Sequence, residues 1–145
     1  MGNLRYSDIK IGLQLPVVEQ EVTQEVIDHN AVASLDYNPV HTDIEWCVRA
    51  QVFGTPKTVG HGMFTMGTMA AVISRQWFEA GAWITSMESK FTKPVEVGRS
   101  IRCEGTVIEL HPRDPGESFV VVKLTAVDSE GGTVSVATAR VRIPD

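Results

Sequence analysis

The sequence predicts an α+β domain in which a curved antiparallel sheet wraps a long apolar helix, and three observations carry that prediction. The segment from His61 to Trp77 is apolar on almost every helical face. Four later segments alternate apolar and polar residues with a period of two. Short turn signals rather than helices separate those segments, so neighbouring strands run antiparallel. A helix that is apolar all round has to be covered, and a sheet is the element left to cover it.

Taken in order, Leu13 to Val22 reads as a first strand. Thr23 can cap a helix running to about Ser34, with Val26, Ile27 and Ala31 on one face. A loop follows, Asp36-Tyr37-Asn38-Pro39-Val40-His41, in which Pro39 biases Asn38 away from helical dihedrals. Thr42-Asp43-Ile44-Glu45 has the form of a capping box that opens a short helix through Ala50, which places His41 immediately before a helix N-terminus. Gln51 to Val59, with Gly54 and Pro56, is a loop. The long helix then carries Met63, Phe64, Met66, Met69, Ala70, Val72 and Ile73, with Gly67 as the point where a sheet can approach closely. The strands are Trp83 to Phe91, Ser100 to Leu110, Ser118 to Asp128 and Thr133 to Ile143. Turns fall at Lys93-Pro94, at His111 to Gly116 and at Ser129 to Gly132.

A length of 145 residues is one domain's worth of chain, so residues 1–145 read as a single unit. The net charge of −5, with basic residues scattered along the chain, argues against nucleic acid as a partner. Lys90, Lys93 and Arg99 can meet ligand phosphates, and solvated strand edges explain them equally well. Cys47 and Cys103 lie far apart with no metal-ligand spacing and read as buried free thiols. The N-terminal Met1-Gly2-Asn3-Leu4-Arg5-Tyr6 lacks an apolar signal core, and no apolar run reaches the roughly 18 residues of a membrane span. A cytoplasmic protein without a membrane partner is the expectation.

The chemistry concentrates in two places. Asp36 and His41 form a candidate acid/base pair on a proline turn, with the Asn38 amide placed to brace the loop. Asp36 lies beyond the negative end of one helix and His41 precedes the positive end of the next, so both pKa values are expected to move toward a partly neutral pair. Gly62, at the start of the long helix, offers a backbone N–H to a carbonyl oxygen that gathers negative charge. His61 reads first as a structural cap of that helix. His29 and His111 carry no assigned role, and Trp77 and Trp83 are core or the wall of an apolar ligand tunnel.

Asp36-x-Asn38-Pro39-x-His41, then Gly60-His61-Gly62-Met63, then Phe91-Thr92-Lys93-Pro94-Val95 with Gly98, resemble in order the MaoC-like hydratases. These include the (R)-specific enoyl-CoA hydratases and the dehydratase subunits of bacterial fatty acid synthesis. The resemblance implies a single hot dog domain that pairs so that two sheets become continuous, as a homodimer or higher homo-oligomer, or else a heteromer. It implies addition of water to a trans-2-enoyl thioester, held on CoA or an acyl carrier protein, to give the (R)-3-hydroxyacyl thioester, and the reverse dehydration. By the same resemblance Asp36 takes a proton from the water, His41 orients it and helps return a proton to C2, Gly62 polarises the thioester carbonyl and Asn38 holds the loop. No metal or redox cofactor is called for. Trp46 and Phe53 would form a lid over a bulky acyl group. One departure stands out, because many relatives carry a small residue and Gly before the Asp, whereas this chain has Ser34-Leu35. The competing readings are a hot dog thioesterase, in which water attacks the carbonyl carbon, and a non-catalytic acyl-thioester-binding subunit of a heteromeric dehydratase.

Overall fold

A computed structural model describes residues 4–144; Met1 to Asn3 of the N-terminal segment read above, and Asp145, lie outside the described residues. After a 3-10 turn at Tyr6–Asp8 the chain forms β1 (Gln14–Glu21), α1 (Gln24–Ser34), α2 (Pro39–Thr42), α3 (Ile44–Ala50) and α4 (Gly62–Trp77). A second 3-10 turn, Phe78–Ala80, leads into β2 (Trp83–Phe91), β3 (Ser100–His111), β4 (Phe119–Asp128) and β5 (Thr133–Arg142). The expected α+β class holds, with every predicted long element present.

All strand pairings are antiparallel, in the order β1-β3-β4-β5-β2. Each pairing contains a register shift, between Leu15 and Val18, Ile84 and Ser86, Val107 and Glu109, and Ala126 and Val127. Such irregularities bend a strand and add twist, and the sheet curls about α4 as the hot dog arrangement requires. Met69, Val72, Ile73 and Trp77 of α4 are buried in one core with Val107, Val120, Val122 and Leu124 of the sheet.

Two expectations about α4 change. The helix is covered on one side rather than all round, since Met63 is 65% exposed in the chain. The close approach of helix and sheet is at Gly105 of β3 rather than at Gly67. A Cβ at residue 105 would lie 3.0 Å from both Val72 Cγ1 and Leu124 Cδ2, whereas one at 67 would meet nothing within 4 Å. Period-two alternation marks residue 105 as inward-facing, but a glycine there is also a residue without a side chain to read.

Trp77 is core, while Trp83 is half exposed on β2, with Arg142 over its ring. His111 ends β3 instead of starting a loop, where its ring stacks on Phe119 and pairs with Glu109. Cys47 and Cys103 are buried and free, and burial pushes the Cys103 thiol up to about 12. Among the described residues no helix is long and apolar enough to cross a membrane.

Candidate active site

The segment that carries Asp36 begins with a forced turn. Thr23 caps α1, its hydroxyl accepting the Val26 N–H, and α1 ends at Leu35, which adopts the left-handed conformation with φ 59. That position favours glycine, and a non-glycine residue there costs about 1–2 kcal/mol. Leu35 therefore makes a turn that glycine would make without strain, at a steric cost, and leads directly into Asp36. The Asp36 carboxylate then accepts the Asn38 N–H at 3.2 Å.

Pro39 opens a helix instead of lying in a loop. Asn38 is the N-cap of α2, accepting the Val40 N–H at 3.2 Å, and Pro39 occupies the first turn, where its missing N–H is no loss. His41 is therefore inside α2. The expected capping box at Thr42 does not form, because the Thr42 hydroxyl reaches back toward the Tyr37 and Asn38 carbonyls. Asp43 caps α3 in its place, accepting the Trp46 N–H at 2.8 Å. An acidic residue one position later was the better N-cap, and the proximity of two caps in the sequence hid the division. Asn38 braces the loop as expected, but its side chain is spent on the cap and it does not line the cavity described below.

Three partners fix His41. Its Nδ1–H donates to the Val59 carbonyl at 2.7 Å, which leaves the lone pair on Nε2. Its own carbonyl accepts a hydrogen bond from Gln24 Nε2 at 2.9 Å, and Gln24 Oε1 in turn accepts one from Thr58 at 2.5 Å. Gln24 has no role in the sequence reading, because a polar first-turn residue looks like solvated surface. The third partner is His61, whose ring stacks on that of His41 with centroids 3.8 Å apart and planes 26° apart.

His61 does not cap α4 with its side chain. It is 3% exposed, and its Nε2–H donates to the Asp36 backbone carbonyl at 3.0 Å. The cap reading is thus overturned: the imidazole turns back toward the Asp36 loop rather than along its own helix. Asp36 Oδ2 stands 3.9 Å from Nε2 of His41 and 3.9 Å from Nε2 of His61. These ligand-type atoms lie within 4.8 Å of one another, a grouping that could hold a metal ion.

Burial lowers the pKa of His41, and the neighbouring His61 adds to this; the Val59 carbonyl and the Asp36 carboxylate pull the other way. The direction agrees with the sequence expectation, but the main cause is desolvation and not a helix N-terminus.

Beside His41 opens a cavity of about 410 Å³. Phe53, Val59, Phe91, Pro94, Val95 and Val134 give it apolar walls, and Gly62, Thr65 and Lys93 also line it. Gly62 is the first residue of α4, and its N–H has no partner among the described residues. A Cβ there would meet the Phe91 ring at 3.3 Å, so glycine lets this wall close. Phe53 lines the cavity as a lid residue would, and Trp46 does not. Of the candidate cations, Lys93 lines the cavity, Lys90 is exposed on β2, and Arg99 is committed to Asp128, Glu96 and Glu130.

Comparison with known proteins bears on the family and the fold of the chain. The MaoC like domain model matches residues 12–129. An (R)-specific enoyl-CoA hydratase of Rhodospirillum rubrum is 29% identical over 139 residues, covering 96% of this chain and 91% of that protein. A 3-hydroxybutyryl-CoA dehydratase of Methylorubrum extorquens is 28% identical over 109 residues, covering 75% of this chain and 67% of that protein. The solved structure of the unliganded R-hydratase PhaJ1 from Pseudomonas aeruginosa superposes with a TM-score of 0.86 at 22% identity, over 99% of this chain and 87% of that one, which establishes the shared fold.

Proposed function

This chain belongs to the MaoC-like domain family, and on that premise we propose that it is a hydro-lyase that interconverts trans-2-enoyl and (R)-3-hydroxyacyl thioesters. The observation that carries the reading is the open gap of 3.9 Å between Asp36 Oδ2 and His41 Nε2 at the edge of an apolar cavity that also exposes Gly62. Two acceptors cannot bond each other, and at that separation they suit one water that donates to both. Because Nδ1 holds the His41 proton, Nε2 accepts from that water, and so does the carboxylate.

The reaction follows from these roles. The acyl chain lies in the apolar cavity with its thioester oxygen at the Gly62 N–H. Water held by Asp36 and His41 attacks C3, and its proton passes to Asp36. The C2–C3 double-bond electrons move toward the thioester oxygen, where Gly62 stabilises the enolate. The Asp36 and His41 pair then returns a proton to C2, so water is consumed and the pair is restored. The β-carbon is electrophilic only as charge builds on the oxygen, so the donor is as necessary as the base. One such donor is worth roughly 3–4 kcal/mol of transition-state stabilisation, and general acid/base assistance about a hundred- to ten-thousand-fold. This chemistry needs no metal or redox cofactor.

The substrate is carried as a CoA or acyl-carrier thioester, with Lys93 the cation best placed for an anionic carrier group. A second copy of the chain fits the free edge of β2, where Trp83 and Phe91 are half exposed, which supports a dimer. The test is loss of enoyl absorbance with crotonyl-CoA and longer trans-2-enoyl-CoAs. Wild type is expected to give products of R configuration, and Asp36→Asn and His41→Ala each to lose at least about a hundredfold in kcat. Release of free thiol without hydration would replace the reading with a thioesterase, and full activity in Asp36→Asn would end it.

A further inference from the structure

His61 is the most buried imidazole of the site and the one that the reaction above does not use. Two of its contacts reach the two reacting groups: Nε2–H to the carbonyl of Asp36 at 3.0 Å, and the ring face against His41 at 3.8 Å. Its Nδ1 is buried and has no partner among the described residues. An Nδ1–H would be a buried donor without an acceptor, so the hydrogen bond of Nε2 and the isolation of Nδ1 select the same tautomer. A histidine serving only as helix start would spend its side chain on α4, and this one makes no such bond.

We propose that His61 is a positioning residue that sets the separation of Asp36 and His41. The hydrogen bond to the Asp36 carbonyl holds the loop just after the strained Leu35, and the stacked ring keeps His41 turned with Nε2 toward the carboxylate. Loss of either contact lets one group move relative to the other, and a misplacement of about 1 Å at a reacting pair costs about a hundredfold in rate. His61 touches neither water nor thioester in this role.

The groups that face His41 are limited. Asp36 and His61 come from the loop and from the start of α4, Lys93 stands across the cavity, and Cys47 of α3 contacts the Pro39 and Val40 carbonyls. Gln24 of α1 and the Val59 carbonyl are neutral. Replacing His61 removes the neighbour whose electrostatic influence helps hold the His41 pKa down, so the His41 titration moves up.

The inference rests on the hydratase reading for its kinetic arm and stands apart from it in its spectroscopic arm. His61→Ala is expected to lose about a hundredfold in kcat with KM little changed. His61→Gln keeps an N–H within reach of the Asp36 carbonyl and is expected to recover part of that loss. In both, the acid limb of the kcat/KM profile moves to higher pH. NMR titration of the His41 nitrogens, in wild type and His61→Gln, reads the same shift without any substrate. If His61→Ala fails to fold, His61→Gln decides alone. Unchanged titration of His41 in His61→Gln, or kcat equal to wild type in His61→Ala, overturns the proposal. Inactive wild type with a shifted His41 titration would end the hydratase reading and leave the positioning role standing.

Discussion

Two polar clusters in this chain are built from similar side chains and end in opposite states. Around Arg99 every charge is met. Its Nη1 donates to Asp128 at 2.8 Å, and its Nη2 lies 3.2 Å from Glu96 and 3.1 Å from Glu130. Asp128 also accepts the N–H groups of Glu130 and Gly132. Around Asp36 the carboxylate oxygen that faces two imidazoles sits 3.9 Å from each. The first cluster is closed and joins the β4–β5 turn to the segment before β3. The second is held open by contacts made elsewhere, through Val59, Gln24 and His61, so a third participant can enter. A satisfied network stabilises; a pair held apart leaves room for the water that the proposed reaction needs.

The comparison breaks most sharply at Gly62, where the donor rather than the pair is removed. Residue 62 is the first position of α4, and His61 before it has φ −62 and ψ 137, a conformation that tolerates a following proline. Gly62→Pro therefore removes the N–H and leaves the helix able to start. Gly62→Ala adds the same Cβ against Phe91 but keeps the N–H, so it isolates the steric part. The expected result is a fall of about a hundred- to a thousandfold in kcat for proline beyond that of alanine, by steady-state kinetics on an enoyl thioester. Equal activity in the two variants would remove Gly62 from the oxyanion site.

A smaller effect separates the clusters from the other side. Asp128→Asn keeps acceptors for the two turn N–H groups and loses the charge that Arg99 pairs with. The variant is expected to melt at a lower temperature by calorimetry while kcat/KM at neutral pH stays that of wild type. A loss of activity without a change in Tm would mean that the closed cluster reaches the site.

The difference between the clusters also explains what the sequence made legible. That Asp36 and His41 meet near Gly62 could be read because the spacing of Asp-x-Asn-Pro-x-His and Gly-His-Gly is distinctive. The sheet could be read because inward residues such as Val120, Val122 and Leu124 alternate strictly. Gln24 and His61 were harder, since their roles depend on atoms brought from residues 17 to 34 positions away, and local pattern assigns them to surface and cap. The Thr42 box failed because a motif states what can form, and the competing Asp43 cap is decided by where α2 ends. Arg99 looked free because two of its three acidic partners, Asp128 and Glu130, come from the end of β4 and the β4–β5 turn, remote in the sequence.

Acid should resolve the two clusters in sequence. Burial, with help from His61, holds His41 below the ordinary histidine value near 6.5, so Nε2 keeps its lone pair until the pH falls beneath that value. A histidine depressed in the fold binds its proton more readily in the unfolded chain. Its contribution to stability is therefore full above about 6.5 and declines as the pH falls toward the folded value. For Asp128, burial alone would raise the pKa, but Arg99 and the N–H groups of Gly132 and Glu130 hold it below the usual carboxylate range. That stabilisation is complete above about 3.9 and lost as the pH falls through the folded value. On acidification, activity should fall first, reversibly and with unchanged circular dichroism, and unfolding should follow at lower pH. Asp128→Asn should soften the second transition and leave the first in place. Simultaneous loss of activity and circular dichroism at one pH would show that the open cluster does not titrate independently of the fold.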